Sequence, residues 1–165
     1  LRPRAILIAM KKDIFKHFNW PTPLQDGPKS VGELLYPEMA SLGWENADKW
    51  RIQANSIAPT LVGGSKKHGG ADLGPTRARQ AWALLGVDGS GLADQPPLNG
   101  SKSLPKLTLK MTALIQGFPA NWQFVGKKTP AYRQVGNAFP PPVAKAIGLS
   151  IYKALSDYDS KNIER

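Results

Sequence analysis

The apolar positions of the chain fall into segments of different period. Residues 5–10, AILIAM, are an unbroken apolar run between Arg4 and Lys11. That is the pattern of a short strand buried on both faces, as in a parallel sheet. Pro21, Pro23, Gly27 and Pro28 then break the chain, and Ser30 is placed to cap a helix through VGELLYPEMASLG. Pro37 is expected to end or kink that helix early, because its ring removes a donor and crowds the preceding turn.

Residues 57–62 can make one short strand, residues 63–74 are a glycine-rich basic loop, and a helix is predicted from Pro75 or Thr76 to Gly86. Residues 87–103 are polar and turn-rich, with no defensible period, so the middle of the chain reads as a small irregular domain of strand and loop. The last third is more regular. Thr108 is a good N-cap for a helix through Ile115, stopped by Gly117 and Pro119. Pro140, Pro141 and Pro142 lead into a final helix in which Val143, Ile147, Ile151 and Leu155 recur every four residues. This apolar stripe must pack on something, while Lys145, Tyr152 and Lys153 lie off it.

Composition narrows the picture. A chain of 165 residues can bury one real core, or one small domain plus a piece of another. No run approaches the ~20 apolar residues of a membrane span, and no charged-then-apolar leader opens the chain, so a soluble, cytoplasmic protein is expected. The absence of cysteine excludes disulfides, thiolate metal sites and a Cys nucleophile within these residues, and no metal site is expected. The net charge is +10, and it is uneven: residues 95–156 contain no Asp or Glu but hold Lys102, Lys106, Lys110, Lys127, Lys128, Arg133, Lys145 and Lys153. Such an excess points to a polyanionic partner, most often nucleic acid, against the plainer reading of a solvated basic surface.

Four stretches then matter by their order: RPRAILIAM, APTLVGG, KLTLKMTALIQGFPANWQF and YRQVGNAFPPPVAKAIG. Together they resemble the C-terminal part of bacterial cytosine-C5 DNA methyltransferases, comprising the target recognition domain and the final two motifs. The most specific portion is Gln116-Gly117-Phe118-Pro119 followed by Arg133-Gln134-Val135-Gly136-Asn137-Ala138. The resemblance implies that Arg2 and Arg4 contact the target base in the active site, a task suited to a planar, permanently charged fork. It implies that Thr60 and Leu61 seat the DNA backbone, and that Gly63, Gly64, Ser65, Lys66, Lys67 and His68, with Gly69 and Gly70 beyond them, form a recognition loop. Glycine lets the backbone approach a groove wall, and lysines neutralise phosphates or meet guanine edges. Arg51, Arg77 and Arg79 are further candidates for DNA contact. Gly136, Asn137 and Ala138 are implied to line the S-adenosylmethionine pocket.

The helix at Thr108 departs from the family pattern. Pro105, Lys110, Met111 and Leu114 stand where the family usually carries Arg, Arg, Glu and Arg. Met111 removes the carboxylate that would close a capping box with Thr108, and Lys110 puts a cation in the first helical turn, which is unfavourable unless an anion is near. Methylation at C5 also needs a nucleophile that attacks C6, which the family supplies as Cys. The resemblance therefore implies a chain that is inactive alone and works with the N-terminal catalytic region of the same enzyme or with a partner subunit, on double-stranded DNA. Leu1 as the first residue favours a portion of a longer polypeptide. The alternative is a stand-alone DNA-binding or specificity module without catalysis. The expected fold is α+β: a small irregular recognition domain rich in β and loop, plus a strand and C-terminal helix of a Rossmann-like α/β domain. The expected divisions are residues 1–23, 24–118 and 119–165.

Overall fold

The computed structural model describes residues 4–23, 25, 27–62 and 70–163. Among them the helices are α1 (Lys12–Phe15), α2 (Val31–Ala40), α3 (Ala47–Gln53), α4 (Thr76–Leu84), α5 (Leu109–Gln116), α6 (Lys128–Asn137) and α7 (Pro141–Ile163). The described residues contain one isolated parallel bridge, Ala93 to Thr108, and no sheet. The expected α+β class with a Rossmann-like strand is thus corrected to a helical chain with long connections. Residues 5–10 are not a buried strand: Leu7 is 92% exposed and Ile6 41%. A strand exists only where a neighbouring backbone completes its ladder, and an apolar run carries no information about where that neighbour is. Residues 57–62 also stay irregular, since Pro59 removes a ladder donor and the chain buries only Leu61 of this run.

The chain divides into two compact units, one of Pro28–Ala138 and one of Arg2–Gly27 with Phe139–Arg165. The first is built on a continuous apolar cluster that includes Leu35, Met39, Trp50, Leu73, Trp82, Val87, Leu107, Met111, Tyr132 and Val135. Helix α2 starts on a reciprocal capping box, in which Ser30 Oγ accepts from the Glu33 N–H at 3.2 Å and Glu33 Oε2 accepts from the Ser30 N–H at 3.1 Å. Pro37 does not end the helix, which runs on to Ala40. An interior proline costs about 3 kcal/mol, whereas burying a large apolar side chain contributes about 1.5–3 kcal/mol. Leu35 and Met39, fully buried on either side of Pro37, together outweigh the penalty.

Helices α2 and α3 lie unusually close. A Cβ added to Gly32 would stand 2.1 Å from the Arg51 carbonyl oxygen. The same approach satisfies two donors at the start of α2, because the Val31 and Gly32 N–H groups donate to the Ser56 and Ala54 carbonyls, each at 2.9 Å.

Helix α5 resolves both departures noted in its sequence. Thr108 Oγ1 accepts from the Met111 N–H at 3.2 Å, and the Thr108 N–H donates to Met111 Sδ at 3.4 Å, so a thioether closes the box in place of a carboxylate. The cation at Lys110 is met by Glu38 of α2, 2.7 Å away. At the other end Gly117, at φ +87°, lets the Phe118 N–H turn back to the Ala113 carbonyl at 3.0 Å. Helix α6, over the largely polar KTPAYRQVGN, was not among the expected elements. Its folding is decided by Ala131, Tyr132 and Val135, all buried on one face.

In the second unit α1 packs on α7, and Phe18 stacks on Phe15 (6.0 Å between centroids) and meets Trp20 edge-on (5.3 Å). Of the stripe on α7, Ile147 is buried while Val143 and Leu155 stay exposed.

Two substitutions test this description in equilibrium urea unfolding. Gly32→Ala is expected to destabilise the chain by about 1–3 kcal/mol through overpacking against the Arg51 carbonyl. No loss would contradict the close approach of α2 and α3. Met111→Leu, similar in shape but without an acceptor, is expected to cost about 1 kcal/mol by leaving the buried Thr108 N–H unpaired, and a neutral outcome would show that the sulfur holds nothing.

Candidate functional site

The Gly136-Asn137-Ala138 corner is the last turn and C-cap of α6. Gly136 is buried, Asn137 exposed and Ala138 half-buried. The helix face that fixes it carries Tyr132 and Val135, fully buried in the core. The last carbonyls of a helix lack intrahelical donors, and here the gap is filled locally. The Ala138 N–H donates to the Gln134 and Val135 carbonyls at 3.1 and 3.2 Å. Gln116 Nε2, from the end of α5, donates to the Val135 and Ala138 carbonyls, both at 3.2 Å. Gln134 Nε2 donates to the Val125 carbonyl at 2.7 Å and steadies the segment leading into α6. At the start of α6, Lys128 Nζ donates to the Leu92 carbonyl at 3.2 Å and pairs with Asp94 at 2.7 Å. Burial and the nearby Asp72 carboxylate push the Tyr132 hydroxyl far up, so it stays neutral.

Of the residues expected to contact DNA, Thr60 is half-buried and Leu61 is buried. Gly63, Gly64, Ser65, Lys66, Lys67 and His68 lie outside the described residues, but both flanks of their loop are described. Gly74 has φ +111°, and a Cβ there would stand 3.3 Å from both Val62 and Ala78, so Val62 on one flank packs directly on Gly74 of the other. The turn is held by Asp72, which accepts from the Gly74 N–H at 2.9 Å and pairs with the Arg79 guanidinium at 3.1 Å. Arg79 Nε also donates to the Gly74 carbonyl at 2.8 Å. Arg79 is therefore occupied as a clasp between α4 and the base of the loop, whereas Arg77, on the first turn of α4, is exposed.

Arg51 lies on α3 with its guanidinium 4.8 Å from the centre of the Tyr36 ring on α2. The Tyr36 hydroxyl bonds the Asp48 carboxylate, which raises its pKa. Arg2 is outside the described residues, and Arg4 is exposed with its guanidinium 5.9 Å from the centre of the Phe139 ring. The basic tract is also less open than its sequence suggests: Lys106, Lys110 and Lys128 pair with Asp88, Glu38 and Asp94 from outside it, at 3.6, 2.7 and 2.7 Å. Hydrogen bonds from Ser90, and then the Lys106 charge, hold the Asp88 carboxyl below its ordinary range. Sequence reasoning gave no role to Gln116, Asp72 or Lys128. For Gln116 the signal was present, because it opens one of the motifs, but its partners lie about 20 residues away and become neighbours only through the packing of α5 on α6.

Among the described residues no helix is long and apolar enough to cross a membrane. A family model described as C-5 cytosine-specific DNA methylase matches residues 1–153. The Type II methyltransferase M.NaeI of Lentzea aerocolonigenes is 58% identical over 159 residues, covering 94% of this chain and 38% of the relative. M.NgoMIV of Neisseria gonorrhoeae is 47% identical over 158 residues, covering 94% of this chain and 50% of the relative. DNA (cytosine-5)-methyltransferase 1 of Mus musculus is 51% identical over a shorter stretch of 45 residues, 27% of this chain and 3% of the relative. The chain thus spans half or less of the length of these relatives. No solved structure matches it at a significant level.

The two arginines of α4 are expected to behave differently in thermal unfolding. Arg79→Ala should lower stability by about 1 kcal/mol, since it removes hydrogen bonds as well as a half-exposed ion pair, while Arg77→Ala should shift it by less than about 0.5 kcal/mol. Equal effects would remove the distinction between clasp and free cation.

Proposed function

The chain belongs to the C-5 cytosine-specific DNA methylase family, and on that premise we propose that it is the C-terminal portion of a restriction-modification DNA (cytosine-5-)-methyltransferase. In this reading it supplies sequence recognition and one wall of the S-adenosylmethionine pocket. A region bearing the nucleophile, in the same polypeptide or a partner subunit, supplies the remainder. The observation that carries the reading is a conjunction: the polar corner of α6 is fully built and held, yet the chain contains no cysteine. A module that only bound DNA would have no use for such a corner, and a complete enzyme of this chemistry would need the thiolate.

The corner suits a polar ligand. Asn137 is exposed and its carboxamide both donates and accepts, while the flanking carbonyls of residues 135 and 138 are already held by Gln116. Gly136, Asn137 and Ala138 would thus hold the cofactor, which supplies the methyl group when bound. On the DNA side, the Thr60 hydroxyl donates to a phosphate, the buried Leu61 anchors the segment that carries it, and Lys66, Lys67 and Arg77 meet phosphates or base edges. Arg2 and Arg4 contact the target base after it leaves the stack. Arg79 serves by fixing the loop base.

The second unit bears on the missing portion. Leu7, Phe15, Trp20, Leu149 and Tyr152 are all more than half exposed, a density of apolar surface that is unusual for a finished fold. We assign its cover to the N-terminal catalytic region, in keeping with relatives about two to nearly three times as long as the matched stretch.

Purified alone, the chain is expected to bind duplex DNA weakly, with affinity falling steeply as salt rises, and to transfer no methyl group. Methyl transfer to DNA by this chain in isolation would overturn the proposal. Lys66→Ala or Lys67→Ala should weaken binding to all sequences and lower the salt slope by about one where the lysine meets a phosphate, or relax one position of the site where it meets a base. A variant that changes neither affinity nor selectivity would take that lysine out of the interface.

A further inference from the structure

We infer that Gln116 is a positioning residue for the cofactor corner, its single amide nitrogen setting the geometry of Gly136 and Asn137. The inference rests on the reading of that corner as a cofactor wall. The two carbonyls that Gln116 Nε2 reaches, Val135 and Ala138, are those that bracket Gly136 and Asn137 in sequence, and both stand at 3.2 Å. A glutamine amide nitrogen carries two hydrogens, so one side chain makes both bonds at once. Both partners are carbonyls and accept only, which fixes which end of the amide faces them.

The donor is itself held. Gln116 is the last residue of α5, followed by the left-handed Gly117, and the chain is tied back there by the Phe118 N–H to the Ala113 carbonyl at 3.0 Å. The acceptors sit where α6 has run out of donors of its own. The Val135 carbonyl receives a second bond beside the one from the Ala138 N–H at 3.2 Å, and the Ala138 carbonyl lies past the helix end in extended backbone at ψ 145°. Gln116 thus adds two bonds at a helix end, where backbone is otherwise prone to fray. Asn137 is exposed, so its direction is set by this backbone and not by packing around its side chain. The arrangement also links the two most specific motifs of the chain through one side chain, since Gln116 opens the first and the corner closes the second.

The test uses the full-length methyltransferase containing this chain, with Gln116→Met as the variant of similar length that lacks donors and Asn137→Ala as the direct probe of the corner. For each, the S-adenosylmethionine dissociation constant is measured by calorimetry, the cognate duplex dissociation constant in the same preparation, and KM and kcat in steady state. Gln116→Met is expected to weaken cofactor binding and raise its KM about tenfold, with duplex affinity and kcat held within about twofold. Unchanged cofactor affinity in Gln116→Met, with loss in Asn137→Ala, would overturn the positioning role and leave the corner standing. Unchanged affinity in both would overturn the corner and the inference together. Parallel loss of cofactor and duplex affinity in Gln116→Met would make Gln116 a general support of the fold and likewise overturn the inference.

Discussion

Among the described residues between 28 and 138, no helix is long enough to stand by itself. The longest, α2 and α6, have 10 residues, and α3 has 7, whereas isolated helices below about 12–15 residues are marginal in water. Each therefore persists only by burying its apolar face in the shared cluster around Leu35, Trp50, Trp82, Met111 and Tyr132. That dependence gives weight to the ends that are closed, although α3, α4 and α6 start without a side-chain cap. Ser30 and Glu33 close α2, Thr108 and Met111 close α5, Gly117 turns its end, and Gln116 closes the end of α6. In a core of short helices a loose end is a large fraction of the element.

The parts of this architecture that were legible beforehand are those governed by local chemistry. Ser30, Thr108 and Gly117 mark helix ends because capping is a matter of three or four consecutive residues. Strand assignment failed for residues 5–10 and 57–62 because a strand is a property of two segments, and nothing in AILIAM or in a run containing Pro59 specifies the second. Helix α6 was missed because its sequence is polar and opens on turn residues, and only the burial of Tyr132 and Val135 decides the matter. The site divides in the same way. Arg77 and Arg79 have equal claims in sequence and differ only because Asp72 and the Gly74 carbonyl reach one of them. Lys110 and Met111 looked like losses until Glu38 and the sulfur were seen to compensate for them.

These observations bear together on the proposed division of labour. The Pro28–Ala138 unit carries a core of its own, and Thr60, Leu61, Arg77, Arg79 and the corner of α6 all belong to it. The other unit is poor in buried residues and rich in exposed aromatic and aliphatic ones. Self-sufficiency in one unit and surplus apolar surface in the other is what physical reasoning expects of a portion whose catalytic complement is elsewhere.

Hydrogen–deuterium exchange tests that division most directly, by comparing this chain alone with the same residues inside the full-length enzyme. The account predicts that amides of α2, α5 and α6 are protected equally in both settings, while those of α7 and residues 4–20 gain strong protection only in the longer protein. Equal protection of α7 in both, or loss of protection in α5 and α6 in the isolated chain, would contradict it.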